Sequence, residues 1–164
     1  NMNDKKYNIY LLISNSIFAF ILWLLYVIIS FIIVGKVMFS IHGLLYIINS
    51  FIFCLCSLTI AFLIGNLMNN KEAINGLVNV IALGSSFLCG SFVPVEFLPD
   101  PVLKVAHILP SYWFINSNNL IKTIEVINKD SLTPFITNSI ILIIFSFIFI
   151  ILSIIISKHK RKIG

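Results

Sequence analysis

Four stretches of this chain, residues 9–34, 43–67, 74–93 and 134–157, contain no Asp, Glu, Lys, Arg or His. A hydrocarbon layer of about 30 Å is crossed by about 20 apolar residues in helix. Inside it every backbone N–H and C=O must be satisfied within the chain, which leaves helices or a closed barrel. Continuous apolar runs of this length, without strict alternation, specify helices. Hydrophobic residues make up 59% of the 164 positions and charged residues 10%, which leaves too few polar groups to solvate a globule of this size. The expected fold class is therefore an all-α polytopic membrane helix bundle, a single transmembrane domain over residues 1–164.

Orientation follows from the positive residues, which are retained on the cytoplasmic side. With four spans both ends share a side. Lys5, Lys6, Lys71, Lys158, Lys160, Arg161 and Lys162 then lie together, seven of the eleven cations. The others are Lys36, Lys104, Lys122 and Lys129, three of them in the longest loop, where the rule counts least. Both termini, the loop at 68–73 and the basic tail at 158–164 are expected in the cytoplasm, and residues 94–133 outside. The bias to Ile, Phe, Asn and Lys with a single arginine matches an AT-rich bacterial genome, hence a bacterial plasma membrane.

Two runs carry small residues every fourth position: Ser57, Ala61 and Gly65 in the second, Ala82, Ser86 and Gly90 in the third. Such stripes let backbones approach closely in lipid, so these are expected helix contacts, within the bundle or across a dimer. The third run is also the most polar. Asn75 and Asn79, one turn apart on one face, either line a polar pathway or hydrogen-bond to another helix. Asn49 in the second run has the same two readings.

Four of the five prolines, Pro94, Pro99, Pro101 and Pro110, fall within "SFVPVEFLPDPVLKVAHILPSYW". Each removes a donor and biases the preceding residue to extended backbone. Asp100 before Pro101 predicts a helix start with Asp100 as cap. Val102, Val105, Ala106 and Leu109 then form one apolar face. Pro110 starts a second short helix, whose Tyr112 and Trp113 suit a headgroup boundary. The expected element is a proline-broken helical hairpin at 94–133, re-entrant or lying on the outer leaflet before the last span.

Several functions lose their support here. Cys54, Cys56 and Cys89 are odd in number, sit in apolar runs and lack metal-ligand spacing, so they read as small buried residues. With no ionisable residue in a span, an ion-coupled carrier is disfavoured. His42 and His107 read as lone surface histidines. The chain has no phosphate-binding loop and no nucleophile with a base, so neither ATP hydrolysis nor intramembrane catalysis is expected of it. No nucleic-acid partner is expected.

A glycine-ended span, then "CGSFVPVEFLPDPVLKVAHILPSYW", a last span and a basic tail resemble the C-terminal part of type-2 ABC transporter permeases. Gly90, Phe92, Pro94, Phe97, Leu98, Pro99, Ile108, Pro110 and Trp113 carry the match, with Glu96 inside the same element. The resemblance implies that the spans are the last four of six, so that the chain is part of a longer permease. It also implies a second permease copy, a pathway between the two, and no cofactor on this chain, with ATP and Mg on a separate ATP-binding subunit. Lys71 and Glu72 either touch that subunit or form a solvated turn. The competing reading is a non-transporting integral membrane immunity or assembly protein that acts by helix packing.

Overall fold

The computed structural model describes residues 4–163, with side chains at Tyr10 and from Ile13 to Lys160. The side chains of Lys5, Lys6, Arg161 and Lys162, and residues 2 and 3 of the stretch preceding the first span, lie outside the described residues. Six α-helices follow in order: α1 (Asp4–Val34), α2 (Ile41–Leu67), α3 (Lys71–Leu88), α4 (Asp100–Ala106), α5 (Pro110–Thr123) and α6 (Lys129–Ile163). Short 3-10 turns occupy Gly35–Phe39 and Val95–Phe97, and no strand occurs among the described residues. The all-helical class expected from the apolar runs holds.

Three segments are long and apolar enough to cross a membrane: Ile13–Phe39, Ile41–Leu67 and Lys129–Lys160. Their large side chains are mostly exposed, as with Phe18, Ile32, Ile33 and Phe147. In a bilayer these surfaces face lipid and need no further burial. The run at 74–93, expected as a further span, does not form one helix of spanning length. α3 has 18 residues and stops at Leu88, not at 93, because Gly90 turns the chain at φ +96°, a left-handed conformation that glycine adopts without strain.

Residue pairs fix the directions of the helices. Trp23 with Ser50 and Ala19 with Cys54 show α1 antiparallel to α2. Leu45 with Phe135, Asn66 with Ser153 and Asn69 with Lys160 show α6 parallel to α2. The start of α1, the end of α6 and the α2–α3 turn therefore share one side of the bundle, called here the terminal side. On the far side, Leu45, Ile121, Ile124 and Phe135 close a small apolar core between α2, α5 and α6, with Tyr46 and Leu132 against it.

The start of each helix is written locally. Asn70 caps α3, its Oδ1 accepting from the Glu72 N–H at 2.9 Å. Asn128 and Ser131 cap α6 reciprocally: the Ser131 N–H donates to Asn128 Oδ1 at 2.7 Å and the Asn128 N–H to Ser131 Oγ at 3.1 Å. Such caps satisfy the orphan donors of a first turn. α4 departs from expectation. It begins at Asp100 with Pro99 as cap residue, and Asp100 makes no side-chain cap bond, so its carboxylate acts on the positive helix end by charge. Its sheltered face is Val102, Leu103, Ala106 and Leu109, while Val105 is exposed.

Gly43, in the first turn of α2, is buried where the 3-10 turn folds back, and a Cβ there would overlap the Met38 backbone. Gly43→Ala is expected to destabilise the bundle by about 1–3 kcal/mol, as overpacking does, read as an earlier unfolding midpoint in mixed micelles. Gly65→Ala, with open space at its Cβ position, is expected to leave the midpoint unchanged.

Candidate translocation surface

The segment expected as an outer hairpin is built into the bundle. His42 Nε2 donates to the Ile124 carbonyl at 2.7 Å, Tyr46 Oη to the Asn118 carbonyl at 3.3 Å, and Asn49 Nδ2 to the Phe114 carbonyl at 3.0 Å and Asn118 Oδ1 at 2.9 Å. Residues 42, 46, 49 and 53 fall on one face of α2 at helical spacing, and Phe53 stacks on Phe114 with ring centroids 4.3 Å apart. The partners run backward, so α5 lies antiparallel to α2 and its first turn is level with Phe53. From Ile41 to Phe53 is about 18 Å along a helix. Pro110, buried at the start of α5, therefore sits deep in the bundle.

Two earlier readings change accordingly. His42 is a half-buried tie between α2 and the end of α5, and since a carbonyl is its partner the Nε2 carries the proton. Tyr112 and Trp113 lie at the deep end of α5, away from the far-side rim, because the helix runs outward from them. Trp113 Nε1 donates to the His107 carbonyl at 3.0 Å, and the rings of His107, Tyr112 and Trp113 form one cluster with centroids 4.1–5.5 Å apart. His107 is thus exposed but not isolated. Gly90 tucks against Val95, whose Cγ2 lies 2.7 Å from where a Cβ would stand. Pro94 and Pro99 precede the 3-10 turn and α4, and Glu96 is exposed between them.

Asn49 is fully buried, so of its two readings the structure supports interhelical hydrogen bonding. One turn in from the Leu45–Ile121–Phe135 layer, register places Asn49 of α2, Ser117 of α5 and Asn138 of α6 at similar depth. Asn49 Oδ1, Ser117 Oγ and Asn138 Nδ2 are each buried without a hydrogen-bond partner.

α3 presents the opposite situation. Ile74, Leu77, Ile81, Ser85 and Leu88 are sheltered, whereas Glu72, Asn75, Asn79 and Ala82 are exposed and Ser86 is half-buried. At 100° per residue the second set forms one stripe. Ser86 Oγ donates to the Ala82 carbonyl at 2.8 Å, while Asn75 and Asn79 are accessible. On α2, Ser57, Ala61 and Gly65 are exposed as well. Ser57 and Ala61 face Ala82 and Ser86 across a cavity of about 370 Å³ that α5 closes with Ser111, Phe114 and Ile115. The two small-residue stripes thus meet across a gap within one copy. Gly65 has nothing within 4 Å of a Cβ position.

On the terminal side Lys71 and Glu72 are exposed at the start of α3. Lys160 Nζ donates to Asn69 Oδ1 at 2.9 Å, which draws the basic tail against the α2–α3 turn. No group of His, Cys, Asp and Glu suited to a metal ion occurs among the described residues.

A family model described as "ABC-2 family transporter protein" matches residues 7–155. No curated protein and no solved structure matches the chain.

The Asn49–Asn118 pair is expected to couple energetically. A double-mutant cycle of Asn49→Ala and Asn118→Ala, read by unfolding in mixed micelles, should show about 0.6–1.7 kcal/mol of interaction, the range of hydrogen bonds between membrane helices. Strict additivity would mean that the pair does not hold α5.

Proposed function

This chain belongs to the ABC-2 family of transporter proteins, and on that premise we propose that it is the permease of an ATP-driven exporter, working as a dimer with its pathway between two copies. As a member of that family it is a transmembrane component of an ABC transporter, and the permease domain is not itself the ATPase. ATP and Mg then belong to a separate subunit that docks on the terminal side, which is cytoplasmic in this reading, in a bacterial plasma membrane.

The observation that carries the proposal is the exposed polar stripe of α3. A carboxamide facing hydrocarbon lacks partners and is costly, yet Asn75 and Asn79 are exposed on α3 opposite a sheltered face of Ile74, Leu77, Ile81 and Leu88, with the exposed Val78, Val80, Leu83 and Phe87 flanking them. Facing a second copy across a hydrated pathway removes that cost. The small side chains at Ser57, Ala61, Ala82 and Ser86 widen the same side, where larger residues would fill it. Lys71, Glu72 and the Lys160–Asn69 contact form one patch beneath α3, placed so that a subunit pressing there displaces α3 along its axis. The hairpin residues Gly90, Pro94, Pro99, Pro110 and Trp113 turn the chain at the end of α3, short of the far end of α2.

Two measurements test this. Purification of the full-length product from native membranes is expected to bring a stoichiometric ATP-binding subunit with ATPase activity. A protein that comes out alone and keeps its cellular effect would favour the helix-packing alternative. In a background without Cys54, Cys56 and Cys89, Asn79→Cys is expected to form a disulfide-linked dimer under mild oxidation. Val80→Cys, 69% exposed at Val80 but off the stripe, should not. The reverse pattern removes α3 from the interface.

A further inference from the structure

A second open surface, which shares Ser57 and Ala61 with the cavity beside α3, is walled mainly by apolar side chains. α1 touches α2 where Trp23 Nε1 donates to Ser50 Oγ at 3.0 Å and Cys54 Sγ approaches the Ala19 carbonyl at 3.7 Å. On either side of that crossing the helices diverge. Toward the terminal side they enclose about 760 Å³, walled by Phe18, Leu22, Trp23, Phe53, Leu58 and Phe62. Toward the far side they and α5 enclose about 530 Å³ more, between Tyr26, Tyr46, Asn118 and Lys122. Trp23, Tyr26, Ser50 and Phe114 line both spaces, so this is one groove. From Tyr46 to Phe62 it follows α2 for about 24 Å, more than the roughly 15 Å that half of a hydrocarbon core measures. Each part has the volume of a ligand site, about 300–1,000 Å³.

The groove is electrically one-sided. Lys122, at the far-side mouth, is the only charged residue in its described wall. Asn118, one turn before Lys122 on α5, stands in the same wall. Its Oδ1 is engaged by Asn49, which leaves the Nδ2 as a second donor. Lys36 adds a cation in the 3-10 turn whose next residues, Val37 and Met38, also line the mouth. The nearest acid in sequence, Glu125, belongs to the loop after α5 and is not in the wall. An apolar trough of acyl-chain length, with its one described cation at the far-side end and the neutral Asn15 amide toward the terminal side, matches a single amphiphile with an anionic head.

We propose that this groove binds an anionic phospholipid from the far-side leaflet, its headgroup on Lys122 and Asn118 and an acyl chain laid along Trp23 between α1 and α2. The inference rests on the chain lying in a bilayer and not on the exporter reading, so failure of either leaves the other standing.

The two tryptophans of the sequence are Trp23 and Trp113, so Trp113→Phe leaves Trp23 as the sole emitter, inside the groove. Full-length protein is reconstituted in phosphatidylcholine vesicles containing either brominated phosphatidylglycerol or brominated phosphatidylcholine at equal mole fraction. Quenching of Trp23 is expected to favour the anionic lipid about fivefold, the preference one lysine near a membrane surface supplies. Lys122→Gln should remove most of that preference, and Lys104→Gln, on α4 outside the groove, should leave it intact. Should Trp113→Phe not fold, the same quantity is read as wild-type emission minus that of Trp23→Phe. Equal quenching by the two lipids overturns the proposal. So does equal loss in both lysine variants, which marks a general field. Absence of quenching by either lipid overturns it too, since protein, another segment or a second copy, then fills the groove.

Discussion

The far half of this bundle is organised around one carboxamide that has nowhere else to go. Asn49 lies in an apolar helix and is fully buried, and hydrocarbon offers no solvent partner. Its Nδ2 is satisfied by reaching two acceptors on a neighbouring helix, the Phe114 carbonyl and Asn118 Oδ1. A helical carbonyl keeps a second lone pair free after its own backbone bond, so Phe114 can accept without any break in α5. The two bonds fix α5 in rotation and in height. His42 and Tyr46 repeat the attachment toward the rim, and the Leu45–Ile121–Phe135 layer then brings in α6. The polar bonds set register, which dispersion between apolar helices sets only weakly.

That register explains the broken crossing. α2, with 27 residues, extends about 40 Å. α3, with 18 residues, extends about 27 Å and ends near the level of Phe53. α5 begins near there and continues to the far side. Between them, residues 89–109 leave the helix axis, held by Gly90 at its left-handed corner and by the His107–Tyr112–Trp113 ring cluster. Irregular backbone at membrane depth is tolerated where protein covers it or a cavity borders it. α4 and α5 on one side and the cavity at Ser85, Ser86 and Ser111 on the other meet that condition. The prolines serve the same end. Pro110 opens α5 where no amide hydrogen is required, and Pro94 and Pro99 prevent α3 from running straight on.

The uninterrupted crossings were legible because lipid makes the length of an apolar run almost sufficient evidence of a span. The third apolar run was legible as a helix only as far as Leu88. Residues 110–123 carry Ser, Asn, Lys and Thr among apolar residues, which reads as a surface helix when burial means contact with lipid. Burial against Asn49, Tyr46 and Phe53 has a different rule, since polar side chains and carbonyls are wanted there. The spacing of His42, Tyr46 and Asn49, three polar-tipped residues along one face of an apolar helix, was the available signal that α2 expected a polar partner. Nothing local identified residues 114, 118 and 124 as that partner, because the pairing spans 65 to 82 positions of sequence. The small-residue stripes were legible as a pattern, but a stripe cannot say whether it meets a helix or borders a gap.

Two surfaces remain open, and they differ for a common reason. A membrane bundle buries its polar atoms inward when they have partners and leaves apolar ones to lipid. The groove between α1 and α2 obeys this, with an apolar wall and the indole N–H of Trp23 already engaged by Ser50. The α3 stripe violates it, with exposed amides at Asn75 and Asn79 while Ile74, Leu77, Ile81 and Leu88 are sheltered. A violation of that kind is stable only if the surface does not meet lipid, since each unpartnered amide carries its full desolvation penalty there. At the terminal side the Asn70 cap and the Asn69–Lys160 contact hold the turn before α3, and Lys71, Glu72 and Asn75 are exposed in its first turns. On the exporter reading proposed above, the accessible Asn75 and Asn79 of that stripe border the hydrated pathway, while Ala82 and Ser86 on the same stripe face Ser57 and Ala61 of α2 across the cavity between them.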